Sequence, residues 1–160
     1  MVRLVLYQPD IPQNTGTMLR MAACLEVPVN IIEPAGFDVS DRNFRRAGLD
    51  YLDGLDITRH TSWRAFEAWR SESRLRLILA TTKAVLPYAQ AIYQPGDALL
   101  FGRESAGVPD EVHAAADIRV IVPMRAGMRS LNVAVTAAMI LGEALRQTSC
   151  FPQRAQGSAA

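Results

Sequence analysis

The stretch FGRESAGVPD, residues 101–110, places one carboxylate, Glu104, between Gly102 and Gly107 and closes with Pro109. Glycines around a polar centre let backbone approach a ligand closely. A carboxylate held there can grip an arginine or accept backbone N–H groups. Two other stretches offer polar groups suited to a shared site. QPDIPQNTGTMLR (8–20) carries Asn14 and Arg20, and PMRAGMRSLN (123–132) carries Ser130 and Asn132. Several other chemistries lack their residues. His60 and His113 are far apart and have no metal-ligand spacing, so no metal is expected. There is no G-x-x-x-x-G-K-[ST] phosphate loop, no G-x-G-x-x-G after the first apolar run and no G-x-S-x-G elbow.

These residues need elements to position them. Near-continuous apolar runs at 2–7, 29–33, 76–82, 98–102 and 118–123 read as buried strands, with 56–60 as a weaker sixth. Met18, Met21, Ala22 and Leu25 mark a helix over 15–26. Ser40 is expected to cap a helix over 41–47, Ser62 one over 63–71 and Ser130 one over 131–147, with Pro109 opening 109–115. Alternating strands and helices predict an α/β fold with a mostly parallel sheet flanked by helices. In such sheets ligands bind at the carboxyl ends of strands. The segments QPDIPQNTG, ATTK, GRESAGVP and PMRAGMRSLN all leave predicted strands there, so they should converge on one edge.

The chain has 160 residues, 49% apolar and 21% charged, with a formal charge of +1. That is one domain's worth, read as 1–150 with an unstructured tail at 151–160. A near-neutral chain that binds nucleic acid must do so through local basic clusters. Cys24 and Cys150 make no disulfide framework, and MVRLVLYQPD lacks the pattern of a signal peptide. No apolar run approaches a membrane span. A cytoplasmic protein with no membrane partner is therefore expected. LNVAVTAAMILGEALRQ (131–147) is apolar nearly all round, with Asn132, Thr136 and Glu143 on one polar line. It suits a helix packed partly on a second subunit; a central core helix is the alternative.

PQNTGTMLRMAA, FGRESAGVP and VPMRAGMRSLNVAVTAA, in that order, resemble the three motifs of SPOUT methyltransferases of the SpoU type. With IEPAGF and RRAGLDYLD between them, residues 1–147 look like the small single-domain branch, the tRNA (cytidine/uridine-34) 2′-O-methyltransferases. The resemblance implies a C-terminal trefoil knot, a homodimer and S-adenosyl-L-methionine as cofactor, leaving S-adenosyl-L-homocysteine. It implies 2′-O-methylation of the wobble C or U in a tRNA anticodon stem-loop, with leucine tRNAs as the expected substrates. A ribosomal RNA methyltransferase of the same fold, or a non-catalytic RNA-binding protein, are the alternatives.

By this resemblance Ala80, Thr81, Gly102, Glu104, Val122, Met124, Ser130 and Leu131 hold the cofactor. Asn14, Arg20, Glu104, Ser130 and Asn132 serve catalysis, although Asn14 and Ser130 also read as helix caps. Arg20 lies almost opposite the apolar stripe of its helix, where it can reach solvent or a cleft while the helix stays packed. A guanidine with pKa above ~12 costs roughly 7 kcal/mol to deprotonate at neutral pH. Arg20 is therefore read first as gripping the phosphate or hydroxyl of the target nucleotide, and second as a base. Arg42, Arg45 and Arg46 are expected to bind RNA, within a cluster that includes Arg59, His60 and Arg64. Trp63, Phe66 and Trp69 read as core, and Tyr7 and Tyr51 as possible base-stacking groups.

Overall fold

The computed structural model describes residues 1–37 and 54–153. The expected helix at 41–47 with its cap Ser40, and Arg42, Arg45, Arg46 and Tyr51, lie outside the described residues, as does most of the expected tail. The elements run β1 (Arg3–Tyr7), α1 (Pro12–Cys24), β2 (Val29–Ile32), β3 (Ile57–His60), α2 (Trp63–Glu72), β4 (Leu77–Ala80), β5 (Leu86–Pro87), β6 (Ala98–Phe101), α3 (Asp110–Ala115), β7 (Ile118–Ile121) and α4 (Val133–Thr148). A short 3₁₀ turn spans Tyr88–Gln90.

All seven strands form one parallel sheet in the order β3-β2-β1-β6-β4-β7-β5. The weaker strand candidate is present as β3. The two-residue edge strand β5 was not legible, because Leu86 and Pro87 make no apolar run. Strand side chains alternate between the faces, as the pleat requires. Leu4, Leu6, Ile31, Ile78, Leu99, Phe101 and Val120 pack with Met18, Leu19 and Ala22 of α1 and Ala137, Ile140, Leu141 and Leu145 of α4. Val5, Tyr7, Leu77, Leu79 and Leu100 pack on the other face with Phe66 of α2 and Val112 of α3. Trp63 and Trp69 pack beside Phe66, which makes them core as expected.

Local chemistry sets the helix boundaries. Ser62 caps α2, its Oγ accepting from Ala65 N at 3.1 Å. Helix α1 begins three positions before the expected start, because Pro12 is preset for a first helical turn. Asn14 is therefore inside the helix and is not its cap. Helix α3 begins at Asp110, with Pro109 in the cap position and not inside it. Ser130 does not cap α4. That cap is Asn132, whose Oδ1 accepts from Ala134 N at 2.8 Å and Val135 N at 3.3 Å. An amide two residues closer to the first free N–H groups outcompetes the hydroxyl.

Candidate functional site

Strands β1 to β3 run outward in one direction, while β6 and β4 lie on the other side of β1. The chain reverses its lateral direction there, which opens a crevice at the carboxyl ends of the strands. The four loops singled out from the sequence line a cavity of about 540 Å³ at that edge. This is within the usual range for a small-molecule site, about 300–1,000 Å³. Ala80, Thr81, Gly102, Glu104, Val122, Met124, Ser130 and Leu131 all line it, together with Asn14 and Asn132.

The β6–α3 loop is the tightest part of the wall. Arg103 N donates to Gly107 O at 3.0 Å and Gly107 N donates to Arg103 O at 2.8 Å. Gly107 takes φ +64°, which favours glycine. A Cβ on Gly102 would lie 2.8 Å from Gly107 C and 2.9 Å from Gly107 O, both backbone atoms. Gly102 is thus needed for the turn to close on the strand end.

Three sequence motifs meet at the mouth of the cavity. Asn14 Nδ2 donates to Glu104 Oε1 at 3.1 Å, and Asn132 Nδ2 donates to Asn14 Oδ1 at 2.9 Å. Asn132 thus caps α4 and holds Asn14 with the same amide, since its oxygen and nitrogen face different partners. On its other side Glu104 faces Asp10, a residue that motif reading passed over. Asp10 Oδ1 accepts from Glu104 N at 3.1 Å, and Asp10 Oδ2 accepts from the Ser105 hydroxyl. Burial and the Asp10 carboxylate push the Glu104 carboxyl up from its ordinary value. Hydrogen bonds from the Glu104 side chain and Ser105 hold Asp10 down at about 2. The two shifts have opposite signs, so Asp10 is the readier of the pair to ionise.

Lys83 and His113 also line the cavity, and Arg103 borders it. Burial, with Lys83 and Arg119 nearby, pushes the His113 imidazole below its ordinary value, which favours the neutral ring. Arg103 Nε is buried without a hydrogen-bond partner and lies 3.8 Å from Asp10 Oδ2. A buried donor without a partner beside a cavity is a group that a polar ligand can satisfy.

Some expected residues are elsewhere. Arg20 is exposed on α1 and does not line the cavity. His60 is 6% exposed, bonded to Asn30 at 3.1 Å and packed on Phe66 and Trp69, so its ring is not available to a phosphate. Burial lowers its pKa, which favours the neutral ring. Arg59 pairs with Glu33, and Arg64 is exposed. Tyr7 is 5% exposed, too buried to stack on a base. Among the described residues no group of three His, Cys, Asp or Glu side chains is placed to hold a metal ion. No described helix is long and apolar enough to cross a membrane.

Residues 1–142 match the model of the SpoU rRNA Methylase family. A tRNA (cytidine(34)-2'-O)-methyltransferase of Beijerinckia indica subsp. indica is 65% identical over 148 residues, covering 92% of each chain. A solved structure described as "Structural insights into the 2-OH methylation of C/U34 on tRNA" superposes with a TM-score of 0.86 at 41% identity, covering 92% of this chain and 95% of that one. The SpoU methyltransferase AviRb of Streptomyces viridochromogenes, solved in complex with the cofactor AdoMet, gives a TM-score of 0.83 at 26% identity. That match covers 92% of this chain and 60% of the other.

Proposed function

The chain belongs to the SpoU rRNA Methylase family, and from that premise we propose that it methylates the ribose 2′-oxygen of nucleotide 34, C or U, in tRNA. The observation that carries the reading is the Asn132–Asn14–Glu104 relay, which joins three distant motifs at the mouth of one cavity. A binding module without chemistry has no need to lock two amides and a carboxyl together beside a small-molecule pocket.

The cavity fits S-adenosyl-L-methionine on two counts. Its volume suits a ligand of that size, and its wall offers the strand-end backbone of Ala80, Gly102 and Val122 for an adenosine. Thr81, Met124, Ser130 and Leu131 complete that wall. When bound, the cofactor supplies a methyl group activated by its sulfonium. The protein's own residues orient the acceptor. Asn14 and Asn132 present amides at the mouth, where they can hold a ribose hydroxyl near the donor. Arg20 grips the target phosphate or hydroxyl and lowers the cost of negative charge on oxygen. Arg42, Arg45 and Arg46 bind the anticodon stem-loop through its phosphates. Leucine tRNAs are the expected isoacceptors.

The active form is a homodimer. Helix α4 buries Ile140 and Leu141 in its own subunit's core, 1% and 0% exposed, so neither is available to a partner. The exposed stripe is instead Leu131, Val135 and Met139, at 41%, 49% and 37%. Val135 and Met139 lie four residues apart on one side of the helix, with Leu131 just before its cap, and together they make an apolar seam. The trefoil knot belongs to the same reading, supported by the late strand β6 lying between β1 and β4. The test is methylation of total tRNA with labelled cofactor, followed by nucleoside analysis. Labelled 2′-O-methylcytidine or 2′-O-methyluridine at position 34 is expected; label only on a base, or none, overturns the reading.

A further inference from the structure

Asp10 lies on the β1–α1 loop, four residues before Asn14, and faces the β6–α3 turn across the cavity edge. Its two oxygens divide their tasks. Oδ1 accepts the backbone N–H of Glu104 at 3.1 Å, and Oδ2 accepts the hydroxyl of Ser105. The loop beneath it is fixed in turn, because Gly36 N donates to Pro9 O at 2.8 Å. A Cβ at Gly36 would lie 3.0 Å from Asp10 Cα, so the two segments are in close backbone contact. The charged group facing the pair is Arg103, at 3.8 Å. Asn14 and Ser105 are its neutral neighbours.

From this geometry we propose that Asp10 is a positioning residue: it clamps the Arg103–Gly107 turn to the β1–α1 loop and holds the Glu104 carboxyl against Asn14. The claim rests on the methyltransferase reading above and deepens it. Glu104 reaches Asn14 only if its own backbone stays where Asp10 anchors it. A buried carboxyl facing a second carboxylate is held toward its protonated form. Burial and the facing Asp10 favour the protonated form of the Glu104 carboxyl, while its Oε1 accepts from Asn14 at 3.1 Å. As pH rises and Glu104 ionises, the two carboxylates repel.

The test uses the full chain with Asp10→Ala and Asp10→Asn. Asp10→Ala is expected to lower kcat for tRNA methylation by about 10–100-fold, the scale of a misplacement near 1 Å, with KM for tRNA unchanged. Asp10→Asn keeps an oxygen that can accept Glu104 N–H and is expected to retain most of the rate. Its separate signature is the carboxyl carbon of Glu104, followed by NMR, titrating at a lower pH than in wild type once the facing charge is gone. The Glu104 amide should exchange with solvent faster in Asp10→Ala. Wild-type kcat in Asp10→Ala, a loss expressed only in KM, or an unmoved Glu104 titration in Asp10→Asn would each overturn the proposal. Wild-type protein that methylates no tRNA removes the functional reading alone, because the carbon titration still tests the pairing.

Discussion

The two edges of the sheet use the same residue types to opposite ends. At the amino edge, Asp97 is 1% exposed and fully matched. Arg76 Nε donates to its Oδ1 at 2.8 Å, Arg76 Nη2 to its Oδ2 at 2.7 Å, and Gln94 N to its Oδ2 at 2.9 Å. Nearby, Asp117 Oδ2 accepts Leu77 N at 2.7 Å and Arg70 Nη1 at 3.4 Å. At the carboxyl edge, Asp10 and Glu104 face each other instead, and Arg103 stands 3.8 Å from Asp10 with its Nε lacking a hydrogen bond. Carboxylates matched in this way leave no unpaired group for a ligand, although a smaller cavity of about 370 Å³ lies at this edge beside Met1, Val27 and Leu55. Like charges placed together cost stability, and groups perturbed in this way cluster where chemistry is done. The two edges thus differ in how their carboxylates are matched, and the perturbed pair lies at the carboxyl edge beside the cavity of about 540 Å³.

The largest effect should come from Arg20, which is exposed on α1 and does not line the cavity. Arg20→Ala is expected to lower single-turnover methyl transfer by ~10²–10³-fold, the loss typical of removing one charge-stabilising donor. Cofactor affinity measured by calorimetry should stay at the wild-type value, because Arg20 is not on the cavity wall. A fall in affinity with transfer intact would reassign it.

Next is Gly102→Val, which strikes the carboxyl edge itself. The added Cβ meets the Gly107 backbone at 2.8 Å, and backbone cannot swing away as a side-chain end can. Overpacking of this kind costs roughly 1–3 kcal/mol, so calorimetry should show cofactor binding weakened by up to about a hundredfold. Unchanged affinity would remove the turn from the site.

Asp97→Ala inverts the pattern. It strands Arg76 beside a buried site and should cost about 3 kcal/mol. Thermal unfolding should shift down by ~6–12 °C, while methylation per folded molecule is unchanged at a temperature where the variant is folded. A selective loss of activity would break the distinction between the edges.

The smallest effect concerns the apolar side of α4, which carries no charge to match. Val135→Glu with Met139→Glu should weaken subunit association by about 2 kcal/mol, or tens-fold in the dimer dissociation constant. Sedimentation at micromolar concentration is the measurement. A wild-type monomer with full activity on tRNA would sink the dimer.

Much of the fold was legible. Leu4 to Tyr7 and Ala98 to Phe101 are runs of apolar residues whose character is local, and so are the stripe on α1 and the Ser62 cap. The four loops could be placed on one edge once the strands were read as parallel. Asp10 was not legible as a site residue, although it sits in the same loop as Asn14. Its partners Glu104 and Ser105 are 94 and 95 positions away, and nothing around it in sequence announces them. Likewise the pattern of α4 marked an apolar helix but could not divide Ile140 and Leu141, which face the sheet, from Val135 and Met139, which do not.

The sequence alone determined the elements, their order along the chain and the residue types delivered to each strand end, because propensity, apolar period and capping act within a few residues. The tertiary structure alone decided the lateral order of the strands, with β6 seated between β1 and β4. That order brings Asn132 to Asn14 across 118 positions and sets the Asp10 carboxylate on the Glu104 backbone N–H. Strand register and hydrogen-bond direction are settled between segments distant in the chain, where a shift of one residue turns every side chain to the opposite face.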